Sequence, residues 1–131
     1  MEERVTISSS TNELAKVESL IDRVCESHNF SADNYGNVLI AVTEAVNNAI
    51  EHGNLNDVGK QVEINCVMDN GKLKFTVKDE GAGFDFDNLP DPTDPENIEK
   101  PNGRGIFLMR NLADRVEFDD NGSKVNIEFS M

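Results

Sequence analysis

Apolar residues recur at two different periods along this chain, and the changes of period mark out its elements. Residues 3–8 alternate, with Val5 and Ile7 on one face, which predicts a short strand at a sheet edge. Ser10-x-x-Glu13 follows as a capping-box pattern. Leu14, Val17, Leu20, Ile21 and Val24 then fall at helical spacing and predict a first helix to about His28. A second helix starts after Ser31 or Ala32. Its stripe is Val38, Leu39, Val42, Ala45, Val46, Ala49 and Ile50, and Gly53 is a natural C-terminal stop. Alternation returns over residues 61–68 (Val62, Ile64, Cys66, Met68) and 73–79 (Leu73, Phe75, Val77). Asn70-Gly71 between them predicts a hairpin, because that pair suits a turn with positive φ.

Residues 84–102 lose all periodicity and hold all four prolines and six acidic residues. So long a loop inside a compact domain is usually a lid or binding loop, or disordered. Helical spacing resumes over 105–114. Val116–Phe118 and Val125–Phe129 form a last hairpin around Asn121-Gly122. The order is β-α-α-β-β-lid-α-β-β. It predicts an α+β fold, a mostly antiparallel sheet with helices on one face, in a single domain spanning residues 1–131.

Composition narrows the function. A formal net charge of −13 argues against a nucleic-acid surface, which needs clustered Lys and Arg. The acid reads as a solvated surface, or as one side of a contact with a basic partner. No apolar run approaches the ~20 residues of a membrane span, and no signal peptide is apparent, so the expected compartment is the cytoplasm. Cys25 and Cys66 lie in apolar segments without metal-ligand spacing and read as buried free thiols.

Three short segments carry candidate chemistry. In TEAVNNAIEHG (43–53), Glu44 and Asn48 are four apart and share a helix face, with Asn47 beside them. They border the apolar stripe and are placed to line a groove; the plain alternative is a solvated i,i+4 pair. In DEGAGFD (79–85), Asp79 is in phase with Phe75 and Val77. A carboxylate in phase with a core needs a donor, and an exocyclic amine would be one. Gly81 and Gly83 let backbone approach a flat ligand; the alternative is a simple turn. In NGRGIFLMRNLAD (102–114), Gly103-Arg104-Gly105 precedes a helix whose free N–H groups would face an anion. The alternative there is a flexible joint. Ile106, Leu108, Met109 and Leu112 read as core. His52 fits a structural role at a helix C-terminus better than a ligand role.

These three boxes resemble the ATP-binding motifs of the GHKL (Bergerat-fold) superfamily, which includes histidine kinases and gyrase-type ATPases. The stand-alone size and the GIFLMRNLAD stretch resemble the bacterial anti-sigma-factor serine kinases. The resemblance implies a two-layer sandwich with a mixed, mostly antiparallel sheet and an ATP lid. It implies that Asn48 binds Mg²⁺ beside the phosphates, that Glu44 is the general base, and that Asp79 accepts from the adenine amino group. Gly81 and Gly83 would lie beside the base, and Gly103 and Gly105 would hold phosphates at the lid hinge. Asn47 stands where Thr is common in the anti-sigma branch and would make a second phosphate or water contact. Lys100 and Arg104 are the basic residues in or beside the lid, candidates to reach the γ-phosphate.

The leading expectation is an ATP-dependent protein serine/threonine kinase. It would sequester a sigma factor or similar regulator and phosphorylate a STAS-type antagonist. A nucleotide-dependent binding switch without catalysis competes with it. A histidine-kinase ATPase module fits less well, because no helix with a phosphoacceptor His precedes the domain. A homodimer contact is expected, if anywhere, on the first strand and helix.

Overall fold

The computed structural model describes residues 2–28, 30–81, 101–119 and 123–130, with only the backbone of residues 101–104. The acidic segment 84–100, Gly83, Lys100 and the Asn121-Gly122 turn lie outside the described residues. The elements are β1 (Glu2–Ser8), a 3-10 turn (Thr11–Glu13), α1 (Leu14–Ser27), α2 (Ala32–Asn48), β2 (Gln61–Asp69), β3 (Lys72–Lys78), α3 (Pro101–Leu112), β4 (Arg115–Asp119) and β5 (Lys124–Ser130). A π turn, Ala49–Gly53, continues α2.

Five strands form one sheet in the order β1-β2-β3-β5-β4, antiparallel at every pairing. β1 lies at an edge, as its alternation predicts. Asn70 (φ 51°) and Gly71 (φ 75°) make the positive-φ hairpin turn between β2 and β3. The pairing of β3 with β5 is non-local and carries no signature in the sequence.

Register aligns the inward residues into continuous rows. Val5, Ile64, Val77, Val125 and Phe118 form one, and Cys66, Phe75, Ile127 and Val116 the next. The alternate positions are mostly polar, and Thr6, Glu63, Lys78 and Asp119 among them are exposed. Against the inward rows lie the stripes of α1 (Val17, Leu20, Ile21, Val24) and α2 (Val38, Val42, Ala45, Val46), all buried. α3 adds Ile106 and Met109 to the same core. The small residues Ala41, Ala45 and Ala49 keep α2 close to its neighbours. Tyr35 Oη donates to Asp22 Oδ1 at 2.5 Å, tying α2 to α1. Cys25 and Cys66 are free and buried, and burial pushes their thiols up to about 11 and about 12, as inert packing groups.

Two local expectations change. Ser10 Oγ accepts from Asn12 N (3.3 Å) rather than closing a reciprocal box with Glu13. The first turn is 3-10, and the Glu13 carboxylate instead receives Ser8 Oγ (3.2 Å) and Lys16 (2.9 Å). α3 begins at Pro101, four residues before the predicted start. Proline suits the first helical position because it has no N–H to leave unpaired.

Phe75 is fully buried at the middle of the sheet and meets Phe129 edge-on at 6.4 Å. Phe75→Ala is expected to cost about 3–5 kcal/mol, read as a lower urea midpoint with an unchanged slope.

Candidate functional site: the cleft between α2, α3 and the end of β3

The last turns of α2 run past the C-terminal end of β3, and a cavity opens where they meet. Its walls are Ala45, Asn48, Ala49, His52 and Gly53 from α2 and its π turn, Val77 and Asp79 from β3, and Ile106 and Met109 from α3. Phe118, Ser123 and Val125 complete it. Apolar walls with a few convergent polar groups suit a flat heteroaromatic ligand. The cavity measures about 20 Å³, room for about one water.

Asp79 stands where the alternation of β3 predicts, in phase with Phe75 and Val77 and buried. Its N–H extends the ladder to Ser123 O (2.9 Å). Its Oδ1 accepts from Gly81 N (2.8 Å), the Asx turn that starts the following segment. Burial holds the Asp79 carboxyl above its ordinary value, opposed by the Gly81 N–H and the charge of Lys60.

Two glycines make this geometry sterically feasible. A methyl on Gly53 would overlap the Asp79 carboxylate, and one on Gly81 would overlap the Gly53 carbonyl. The residue that follows the π turn is Asn54, and Gly53 does not take a positive φ. The helical run thus stops at Gly53 as expected, without a left-handed residue there, and the missing Cβ of Gly53 makes room for Asp79.

Glu44 and Asn48 share a face of α2, both half-buried, and that face meets α3. A Cβ on Gly105 would lie 3.1 Å from Glu44 Oε2 and 3.4 Å from Asn48 Nδ2, so the two helices approach closely at Gly105. Gly103 and Gly105 sit inside the first turns of α3 rather than before it, which corrects the expected boundary. The N–H groups within α3 left without an intrahelical partner are those of residues 102 and 103. Asn48 Nδ2 and His52 Nε2 are buried without a hydrogen-bond partner among the described residues. An unpartnered buried amide beside a carboxylate is a costly feature in a purely structural helix and fits a ligand-binding one. His52, for which the sequence favours a helix-end role, forms part of the cavity wall, with the Glu51 carboxylate 3.8 Å away.

The structure thus places Asn48 and Asp79 on one cavity, with Glu44 and Gly105 beside Asn48 and Gly81 bonded to Asp79, though Glu44, Gly81 and Gly105 are not cavity walls. Asn47 is half-buried on α2 and is not a cavity wall. Gly83, Lys100 and the side chain of Arg104 lie outside the described residues. No group of three His, Cys, Asp or Glu side chains among the described residues is arranged for a metal.

Sequence reasoning misses Asn54, which is fully buried. Its Nδ2 donates to Ser9 Oγ (2.8 Å) and Gln61 O (3.0 Å), and its Oδ1 accepts from Glu80 N (2.7 Å). Glu80 Oε2 in turn receives Gln61 N (2.5 Å). The only signal available was a lone Asn after a helix end, which usually marks an ordinary turn.

An antiparallel sheet covered on one face by helices, with a mostly apolar cleft between a helix and a strand end, defines a two-layer α+β domain. The family model of the histidine kinase-like ATPase domain matches residues 7–129, and the chain belongs to that family. Membership of an ATPase family implies the use of ATP. Serine-protein kinase RsbW of Bacillus cereus and of Bacillus anthracis are each 33% identical over 94 residues, covering 67% of this chain and 58% of the relative. The chain thus spans somewhat over half the length of these curated relatives. A crystal structure of the RsbU and RsbW domains of Rv1364c from Mycobacterium tuberculosis superposes with a TM-score of 0.68 at 14% identity. It covers 99% of this chain and 32% of that one, and supports the fold. No helix among the described residues is long and apolar enough to cross a membrane.

A raised carboxyl value means that the folded state holds the Asp79 proton more tightly than the unfolded chain. Its contribution is fully present below the ordinary aspartate value and is lost as pH rises through the raised folded value. Asp79→Asn keeps an acceptor for Gly81 N–H and removes that loss. The variant is expected to melt at the same or a higher temperature at pH 7, and its lead over the native chain should shrink toward pH 3. Gly53→Ala should cost about 1–3 kcal/mol by overpacking, read in the same melts.

Proposed function

We propose that this domain binds Mg-ATP and transfers its terminal phosphoryl group to a serine or threonine of a small STAS-type protein. In the same scheme it holds a sigma factor or similar regulator, in alternation with that antagonist. The observation that carries the reading is Glu44, whose carboxylate faces Gly105 of α3 beside the unpartnered Asn48 amide. The naming of the relatives as serine-protein kinases supports it.

In this reading Asp79 accepts from the exocyclic amine of adenine, with Gly81 and Gly83 allowing the base to lie against backbone. Adenine entry requires Ile106 and Met109 to draw back, since the cavity holds about 20 Å³. Asn48 faces the phosphates. An amide presents either its donor or its acceptor edge by rotation, and one amide oxygen, phosphate oxygens and waters make a reasonable Mg²⁺ shell. Bound there, Mg²⁺ would neutralise charge between the phosphates. Asn47 takes a second phosphate or water contact. The N–H groups at Gly103 and the close approach allowed by Gly105 serve the phosphates, and Lys100 and Arg104 supply mobile positive charge. Glu44 removes the proton from the attacking hydroxyl as its oxygen bonds to the γ-phosphorus and ADP departs. The protein works in the cytoplasm, as one domain, and a homodimer would form through β1 and α1.

Glu44→Gln preserves shape and removes the base. With γ-labelled ATP and the STAS-type partner, transfer is expected to fall by about 10²–10⁴-fold while ATP affinity stays within about threefold. Native levels of transfer by Glu44→Gln would exclude the base assignment. No transfer by the native chain, with ATP bound, would leave a nucleotide-dependent binding switch.

A further inference from the structure

The loop between α2 and β2 touches no proposed ligand group, yet it contains the buried amide that reaches the nucleotide-facing turn. We infer that Asn54 is the positioning residue that sets the adenine-reading geometry of Asp79, and so helps decide which purine the cleft accepts. This deepens the proposed function and rests on the reading of Asp79 given there.

Asn54 closes the π turn, its N–H donating to Ala49 O (2.8 Å), so its place along α2 is set by the helix. Its side chain then points away from the helix and joins three other segments. Ser9 follows β1, Gln61 opens β2, and Glu80 follows Asp79. The Ser9 hydroxyl, having accepted from Asn54, donates to Lys60 O (2.8 Å), which closes the network. Both N–H donors of the Asn54 amide and its carbonyl oxygen are thereby engaged.

The bond to Glu80 matters most for recognition. The Glu80 N–H belongs to the peptide joining Asp79 to Glu80, so a bond at 2.7 Å fixes that peptide and, through it, the place of the Gly81 N–H that holds the Asp79 carboxylate. The next N–H, of Gly81, is held by Asp79 itself. Two successive peptides are thus held, one by the helix-borne amide and one by the carboxylate. Gly53, adjacent to Asn54, packs against the same carboxylate. Without the Asn54 bond, Glu80 N–H loses its partner and Asp79 can turn about its own ψ. A single hydrogen bond between a buried carboxylate and an exocyclic amine tolerates little displacement, and a site built on such a bond rejects a base lacking the donor. Guanine presents a carbonyl oxygen where adenine presents its amine, so the alignment of Asp79 is what distinguishes them.

The test uses the full chain and fluorescent mant-ADP and mant-GDP, read by titration, with no partner protein. Asn54→Ala is expected to raise the Kd for mant-ADP at least tenfold, to change that for mant-GDP less than threefold, and so to narrow the preference at least about threefold. Leu20→Ala, a core truncation in α1 remote from the cleft, supplies a variant of lowered stability; it should keep the native preference. Where Asn54→Ala does not fold, Asn54→Ser, whose hydroxyl stops short of Glu80 N–H, reads the same quantity with a milder loss of packing. A folded Asn54 variant with native preference overturns the inference, as does a Leu20→Ala preference narrowed equally. Asp79→Asn separates the two levels. If it retains the native adenine preference, the Asp79 reading itself fails. If it loses that preference while the Asn54 variants keep theirs, only the positioning role fails.

Discussion

Everything in the cleft depends on how closely the end of α2 approaches the end of β3. The contact is made where side chains are missing: the Asp79 carboxylate occupies the space a Cβ would take on Gly53, and the Gly53 carbonyl occupies that of Gly81. With any larger residue there, the helix end and the strand end must separate. The polar groups of α2 would then no longer share a cavity with Asp79. Glu44, Asn48 and His52 lie on successive turns of one helix, so fixing its end fixes all three relative to the strand. Gly105 plays the matching part at the other side, admitting α3 against Glu44 and Asn48.

The cleft is also where the molecule gives up stability. Asp79 is a carboxylate kept among apolar walls, and Asn48 and His52 carry buried nitrogens without hydrogen-bond partners among the described residues. Such groups are each worth about 1–3 kcal/mol of lost solvation, a cost tolerated only where a ligand repays it or the surroundings overdetermine the geometry. The core supplies that overdetermination. Two rows of inward β residues, continuous across the sheet, clamp β3 from both sides, and the buried stripe of α2 lies across them. By contrast the cysteines, though buried, add only packing.

Legibility followed the range of the interaction. Strand alternation, the two helical stripes and the Asn70-Gly71 turn are dictated by contacts within a few residues, and each appears in the structure as the periodicity predicts. Asp79 was legible for the same reason, being in phase with Phe75 and Val77 on its own strand. Boundaries fared less well. The start of α3 moved back to Pro101, because the loss of apolar periodicity hides a first turn that is set by backbone bonding alone. The Ser10–Glu13 box gave way to Ser8 and Lys16, which compete for the same carboxylate. Asn54 left no periodic trace, since its partners lie 45, 7 and 26 residues away.

By itself the sequence determined the identity and local phase of the groups that carry chemistry: Glu44 and Asn48 on one helix face, Asp79 among core positions, and glycines at the close approaches. It also determined the family, because those motifs occur together in one order over residues 7–129. Only the tertiary structure decided that β5 inserts between β3 and β4, that Gly53 is required for its absent Cβ rather than for a turn, and that Asn54 joins three distant segments. The physical reason is that propensity and periodicity act over one or two turns of chain. Steric exclusion and buried hydrogen bonding act between whatever the completed fold brings together.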